Sequence, residues 1–149
     1  KEQFVDEIDS LVQNSILKGA RLLIGGEKTA DEGFFYKPTL LIDVTEEMDV
    51  FNNETFGPVL CISKAKNSDD AIRLANKSCY GLSSSIWTRD RKLAQSLSLK
   101  INSGAVFINS MSKSDPRLPF GGINKSGFGR ELSKYGLYEF VNKKTVVIN

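Results

Sequence analysis

Phe4, Ile8, Leu11, Val12 and Ile16 recur at helical spacing and predict an amphipathic helix over residues 2–18, with Gly19 as its stop. Arg21-Leu22-Leu23-Ile24 reads as a short apolar strand closed by Gly25-Gly26, and the polar stretch up to Gly33 reads as a surface loop. Pro38-Thr39-Leu40-Leu41-Ile42 predicts a second strand, with Pro at its first position, where a missing N–H does least harm. Val59-Leu60-Cys61-Ile62 is a third apolar run. Ser68 is the expected cap of a helix whose first turn holds Asp69 and Asp70 and whose apolar face is Ala71, Ile72, Leu74 and Ala75. Residues 82–88 predict a strand. Thr88 or Asp90 caps a helix carried by Leu93, Ala94, Leu97 and Ile101, and Gly104-Ala105-Val106-Phe107-Ile108 predicts the next strand. Residues 58–108 thus alternate strand and helix, the βαβ pattern of a parallel α/β sheet.

Past Asn109 the pattern breaks. Residues 109–130 carry two Pro, four Gly and four Ser, a long structured loop of the kind that usually bears function. A short helix is expected near 131–138, and Thr145-Val146-Val147-Ile148 predicts a terminal strand. Lys1 already lies inside the first helical pattern, which points to a piece of a longer protein.

Composition removes several chemistries. The 149 residues contain no histidine, which excludes Ser-His-Asp and Cys-His catalysis and His-ligated zinc. Twenty basic against 18 acidic residues leave +2, no argument for nucleic acid or an acidic membrane as partner. No apolar run approaches the ~18 residues a membrane span needs. Cys61 and Cys79 lack CxxC spacing and suit a reducing compartment, so a cytoplasmic location is expected, and no metal site is.

Three segments carry the chemistry: Asn53-Glu54-Thr55-Phe56-Gly57-Pro58-Val59, Asn76 to Leu82 (NKSCYGL), and Pro119 to Glu131 (PFGGINKSGFGRE). In this order and spacing the chain resembles the C-terminal part of the NAD(P)-dependent aldehyde dehydrogenases. The resemblance runs from the first helix through GGEKTADEGFFYKPTLL to the final strand. It implies an α/β fold: the latter part of a catalytic domain (residues 1–143), with a parallel, Rossmann-like sheet flanked by helices. Residues 144–149 would form a C-terminal oligomerisation strand that joins copies into a homo-oligomer.

The resemblance also implies roles. Glu54 would hold the nicotinamide ribose of NAD or NADP, since a carboxylate can accept from both ribose hydroxyls, and Phe56 would pack near the nicotinamide. A solvated turn glutamate and a core phenylalanine are the plain alternatives. Phe120 matches an aromatic at the substrate entrance, with simple packing as its rival. Glu131 matches a proton-relay glutamate, and equally a carboxylate favoured at a helix start. Asn124 stands where the family usually has Lys, so that lysine's role transfers to no residue here.

The loop Ser110 to Leu118 offers hydroxyls and cations in place of the apolar side chains of many relatives. Ser114 falls at a substrate-lining position. Together with Arg117 it could bind the anionic end of a substrate, and Arg117 could equally pair with a carboxylate of the fold. The run SDPRLPFGG followed by SGFGREL looks most like bacterial succinate-semialdehyde dehydrogenases. The implied reaction oxidises an aldehyde, succinic semialdehyde to succinate, through a nucleophilic cysteine in an upstream segment. Neither Cys61 nor Cys79 has that cysteine's context, so the fragment alone would be inactive. The competing readings are a broad-specificity aldehyde dehydrogenase and a non-catalytic relative with a structural or binding role.

Overall fold

The computed structural model describes residues 1–29 and 32–149. Of the polar loop expected before Gly33, Ala30 and Asp31 lie outside the described residues. The chain divides into two compact units, Lys1–Leu74 and Ala75–Asn149.

In the first unit, α1 (Glu2–Leu17) buries Val5, Ile8, Val12 and Ser15. The expected stripe is shifted by one at its start, because Phe4 points to solvent and Val5 inward. Gly19, at φ 105°, ends α1 as expected. Its N–H donates to Ile16 O and that of Ala20 to Ser15 O, both at 2.9 Å, a pairing that only a left-handed residue permits. Buried Ser15 donates to Leu11 O at 2.8 Å and accepts from Val50 N at 3.2 Å, tying α1 to the one-turn helix α2 (Asp49–Asn52). The strands β1 (Arg21–Ile24), β2 (Thr39–Ile42) and β3 (Val59–Cys61) form one sheet in that order, with β1–β2 antiparallel and β2–β3 parallel. Leu41 is fully buried and joins Val12, Val44, Met48 and Val50 in the core. Helix α3 (Ser68–Ala75) is capped one residue earlier than expected: Asn67 Oδ1 accepts from Asp70 N, and Asp70 Oδ2 accepts from Lys66 N.

In the second unit, β4 (Ser83–Ile86) and β5 (Ala105–Ile108) pair in parallel through α4 (Arg91–Ser98). Asp90 caps α4 by accepting from Leu93 N at 2.9 Å. So β4-α4-β5 is the expected βαβ unit. The expected β3-α3-β4 unit is not: β3 pairs with β2, in the other unit, because strand pairing is non-local and the core built on α1 recruits β3. Helix α5 (Ser133–Tyr138) is shorter than expected. Residues 142–149 carry neither helix nor strand, so the expected terminal strand has no ladder in the single chain. No helix among the described residues is long and apolar enough to cross a membrane.

Two asparagine side chains each bond both a carbonyl and an N–H of the second unit's backbone. Asn76 donates to Lys100 O at 2.7 Å and accepts from Asn102 N at 2.8 Å. Asn109, at φ 51°, donates to Thr88 O and accepts from Thr88 N, both at 2.9 Å. The Asn109 amide thus adds a rung just beyond the ends of β4 and β5, whereas Asn76 ties the end of α3 to the segment between α4 and β5.

Candidate functional site

In the first unit, Glu54 and Phe56 sit on the segment between α2 and β3. Its backbone is closely ordered. Gly57 N donates to Thr55 O and Val59 N to Gly57 O, both at 2.8 Å, two successive three-residue turns. Thr39 N donates to Pro58 O, which pins the segment to the start of β2. Proline at 58 keeps Gly57 from continuing a helix, and a Cβ on Gly57 would lie 2.4 Å from Ile8 Cδ1. On this fixed backbone the two side chains face solvent. Phe56 is 86% exposed on this chain. Among the described residues nothing pairs with the Glu54 carboxylate. An unpaired carboxylate and an uncovered aromatic two residues apart on one ordered backbone have the chemistry that a ribose and a nicotinamide ring require. Gly57, Pro58, Val59 and Leu60 also line an apolar recess of about 430 Å³ with Ile24 and Pro38.

In the second unit, Phe120 and Glu131 are joined directly. Phe120 N donates to Glu131 O at 2.9 Å and Glu131 N to Phe120 O at 2.8 Å, an isolated antiparallel bridge. Both line a pocket of about 360 Å³, together with Phe128, Arg130, Glu139 and Phe140. Arg130 donates from Nη1 to Gly122 O at 3.0 Å and to Gly129 O at 2.6 Å, closing the loop between the bridged residues. The two residues after Glu131, Leu132 and Ser133, both have positive φ, 63° and 51°, an unfavourable backbone for side-chain-bearing residues. This bend brings α5 back so closely that a Cβ on Gly136 would stand 3.0 Å from Glu131 C.

The loop that forms this pocket is sewn to the NKSCYGL segment. Lys125 N donates to Cys79 O, Ile123 N to Gly81 O, and Gly81 N to the Ser126 hydroxyl. The first Gly of the pair in PFGG is dictated by contact, because a Cβ on Gly121 would lie 2.7 Å from Gly129 O, and a Cβ on Gly104 would in turn lie 1.7 Å from Gly121 O, so backbones touch where no side chain fits. Asn124, at φ 55°, occupies a left-handed position, where asparagine is among the most tolerated residues. That is a backbone reason for the residue found there. Ser126 escaped the sequence reading, although a serine between two glycines of a rigid loop is the available signal for such an anchor.

Ser114 is exposed on the loop before Phe120. Arg117 follows the alternative left open in the sequence and pairs within the fold. Its Nε and Nη2 donate to Asp115 Oδ1 and Oδ2 at 2.9 and 2.6 Å. The Arg117 guanidinium holds the Asp115 carboxyl well below the usual carboxylate range. Ser133 N donates to Pro116 O at 3.0 Å, joining this loop to the segment after Glu131. Ser114, Arg117, Phe120 and Glu131 therefore belong to one unit, Glu54 and Phe56 to the other.

Both cysteines are free. Cys61 lies in β3, and burial pushes its thiol up, away from the thiolate a nucleophile needs.

A profile of the Aldehyde dehydrogenase family matches residues 1–146. The chain is 50% identical over 141 residues to the NAD(P)+ succinate semialdehyde dehydrogenase Sad of Escherichia coli (strain K12), covering 95% of this chain and 30% of that protein. An aldehyde dehydrogenase of Mycobacterium tuberculosis, solved in complex with NAD+, superposes with a TM-score of 0.93 at 38% identity, over 100% of this chain and 31% of that one. A succinic semialdehyde dehydrogenase of Streptococcus pyogenes, solved with NADP+, gives 0.91 at 38% identity, over 99% of this chain and 32% of that one. The chain thus spans about a third of the length of the relatives it matches. With the family's sequence pattern and its α/β fold both present, the chain belongs to the aldehyde dehydrogenase family.

Proposed function

We propose that this chain is the latter part of the catalytic domain of an NAD(P)-dependent aldehyde dehydrogenase that converts succinic semialdehyde to succinate in the cytoplasm. The observation that carries this reading is the Phe120–Glu131 bridge, which sets an aromatic wall and a carboxylate side by side on one pocket. Similarity to succinate semialdehyde dehydrogenases supports the substrate. The NAD+ and NADP+ in the related structures support the cofactor class.

On this reading Glu54 orients the cofactor by accepting from the ribose hydroxyls, and Phe56 covers the nicotinamide face. NAD or NADP, when bound, accepts the hydride. Phe120 excludes water from the aldehyde, and Glu131 passes a proton toward the site. Ser114 and Arg117 hold the distal carboxylate of the substrate. The nucleophilic cysteine belongs to an upstream segment, so residues 1–149 alone turn over no aldehyde. Residues 144–149 supply the strand that joins subunits.

The test is oxidation of succinic semialdehyde by the full-length gene product, followed as nicotinamide reduction at 340 nm, with butanal as the uncharged comparison. A higher kcat/KM for succinic semialdehyde is expected. No aldehyde-dependent reduction with either cofactor would overturn the enzymatic reading, and equal constants for both aldehydes would overturn the substrate assignment.

A further inference from the structure

The turn at Asp115–Leu118 is built around one carboxylate. Leu118 N donates to Asp115 O at 2.9 Å, closing a four-residue turn with Asp first and Pro116 second, the order such turns favour. Asp115 Oδ1 accepts from both the backbone N and the Nε of Arg117, each at 2.9 Å, while Oδ2 accepts from Nη2 at 2.6 Å. The Asp115 side chain is only 23% exposed and the Arg117 side chain 85% exposed. A partly sheltered acid therefore grips one edge of an arginine that otherwise stands in solvent. Pro116 O, bonded to Ser133 N, fixes the turn to the segment that follows Glu131.

We infer that Asp115 is a positioning residue for Arg117: it holds the Nε–Nη2 edge of the guanidinium and leaves the Nη1–Nη2 end to take the carboxylate of an aldehyde acid. This rests on the proposed reading of Arg117 as a substrate-binding residue. Guanidinium is planar, with five N–H donors in a fixed fork, so two carboxylates can bind it on adjacent edges. Among the described residues Nη1 has no partner. A free arginine side chain on an open loop must lose most of its rotamer freedom when it captures an anion. One that is already bracketed has lost that freedom beforehand, which is preorganisation. The bracket also offsets the arginine's charge, so discrimination comes from the placement of donors more than from long-range attraction. Because Arg117 keeps the Asp115 carboxyl ionised well into the acid range, the bracket does not open near neutral pH.

The experiment compares wild type, Asp115→Asn and Arg117→Ala of the full-length enzyme on succinic semialdehyde and on butanal. Both variants are expected to raise KM for succinic semialdehyde, Asp115→Asn by about 3- to 10-fold, with kcat and both butanal constants within about twofold of wild type. A merely structural brace would move both substrates together, so equal losses in Asp115→Asn overturn the inference. If Arg117→Ala raises KM for succinic semialdehyde and Asp115→Asn matches wild type, Asp115 positions nothing while Arg117 keeps its role. If Arg117→Ala leaves the ratio of the two substrates unchanged, the underlying reading of Arg117 fails, and the inference with it. Butanal turnover in each variant reports that the protein has folded.

Discussion

The Ser126 hydroxyl accepts from the Gly81 N–H at 2.9 Å, across 45 positions of sequence. Gly81 is buried and its carbonyl is engaged too, by Gly104 N and Ile123 N at 3.0 Å each. Two of the three motifs that mark the family are therefore one structural object: the YGL turn is the seat of the glycine-rich loop that carries Phe120 and Glu131.

Ser126→Ala leaves a buried N–H without an acceptor, and such an orphan costs about 1–3 kcal/mol. The urea midpoint of the full-length protein should fall accordingly, with an unchanged m-value. An unaltered midpoint would mean that water replaces the hydroxyl and that the loop does not depend on it.

Glu54→Gln tests the cofactor role. The side chain is exposed and without a partner among the described residues, so folding should be untouched. The amide loses charge-assisted acceptance worth about 1.5–3 kcal/mol per hydrogen bond, which predicts a rise of about tenfold or more in KM for the dinucleotide. Unchanged cofactor constants and unchanged turnover would return Glu54 to a solvated turn.

Tyr36 gives a pH dependence. Burial, and the hydrogen bond its hydroxyl donates to Asp9 Oδ1 at 3.0 Å, push the phenol above its ordinary value of 10.0. The neutral form is the one the fold favours. Its contribution is therefore complete below pH 10 and lost as pH rises through the folded value. Relative to Tyr36→Phe, wild type should lose up to about 1.4 kcal/mol per pH unit above 10. Denaturation of both proteins at pH 8 and pH 11 checks this, and a constant difference would refute it.

Removing residues 144–149 from the full-length protein tests the proposed assembly strand. Val146, Val147 and Ile148 are all strongly exposed in the single chain and have no ladder, the condition in which β-branched residues seek an edge. Sedimentation should show a loss of oligomeric mass, while circular dichroism stays close to wild type. Retention of the full mass would remove the strand from the interface.

What the sequence shows clearly here is local. Gly19 ends α1, Asp90 caps α4 and the β4-α4-β5 unit forms, because each depends on neighbours within a few turns. Phe4 and Val5 are hard to tell apart because Ile8 follows one by four residues and the other by three, so both satisfy helical spacing. The partner of β3 was illegible, since periodicity describes a strand's faces and not its neighbours. The candidate site residues come from motif order, whereas the Asp115 grip on Arg117 is visible only in the structure. The tight turn at Pro116 folds the two flanking side chains onto each other, a contact that motif order does not encode.

The asparagine rung at the end of β5 has a chemical consequence. Asn109 both gives and takes a hydrogen bond at Thr88, so its two side-chain ends are not interchangeable. Hydrolysis of that amide to a carboxylate would preserve the shape and reverse one end, setting an anionic oxygen against the Thr88 carbonyl where a donor had been. A change of a single mass unit would thus remove one of the two side-chain bonds at Thr88 and leave the strand ends joined by the other and by the bond from Asn109 N to Ile86 O.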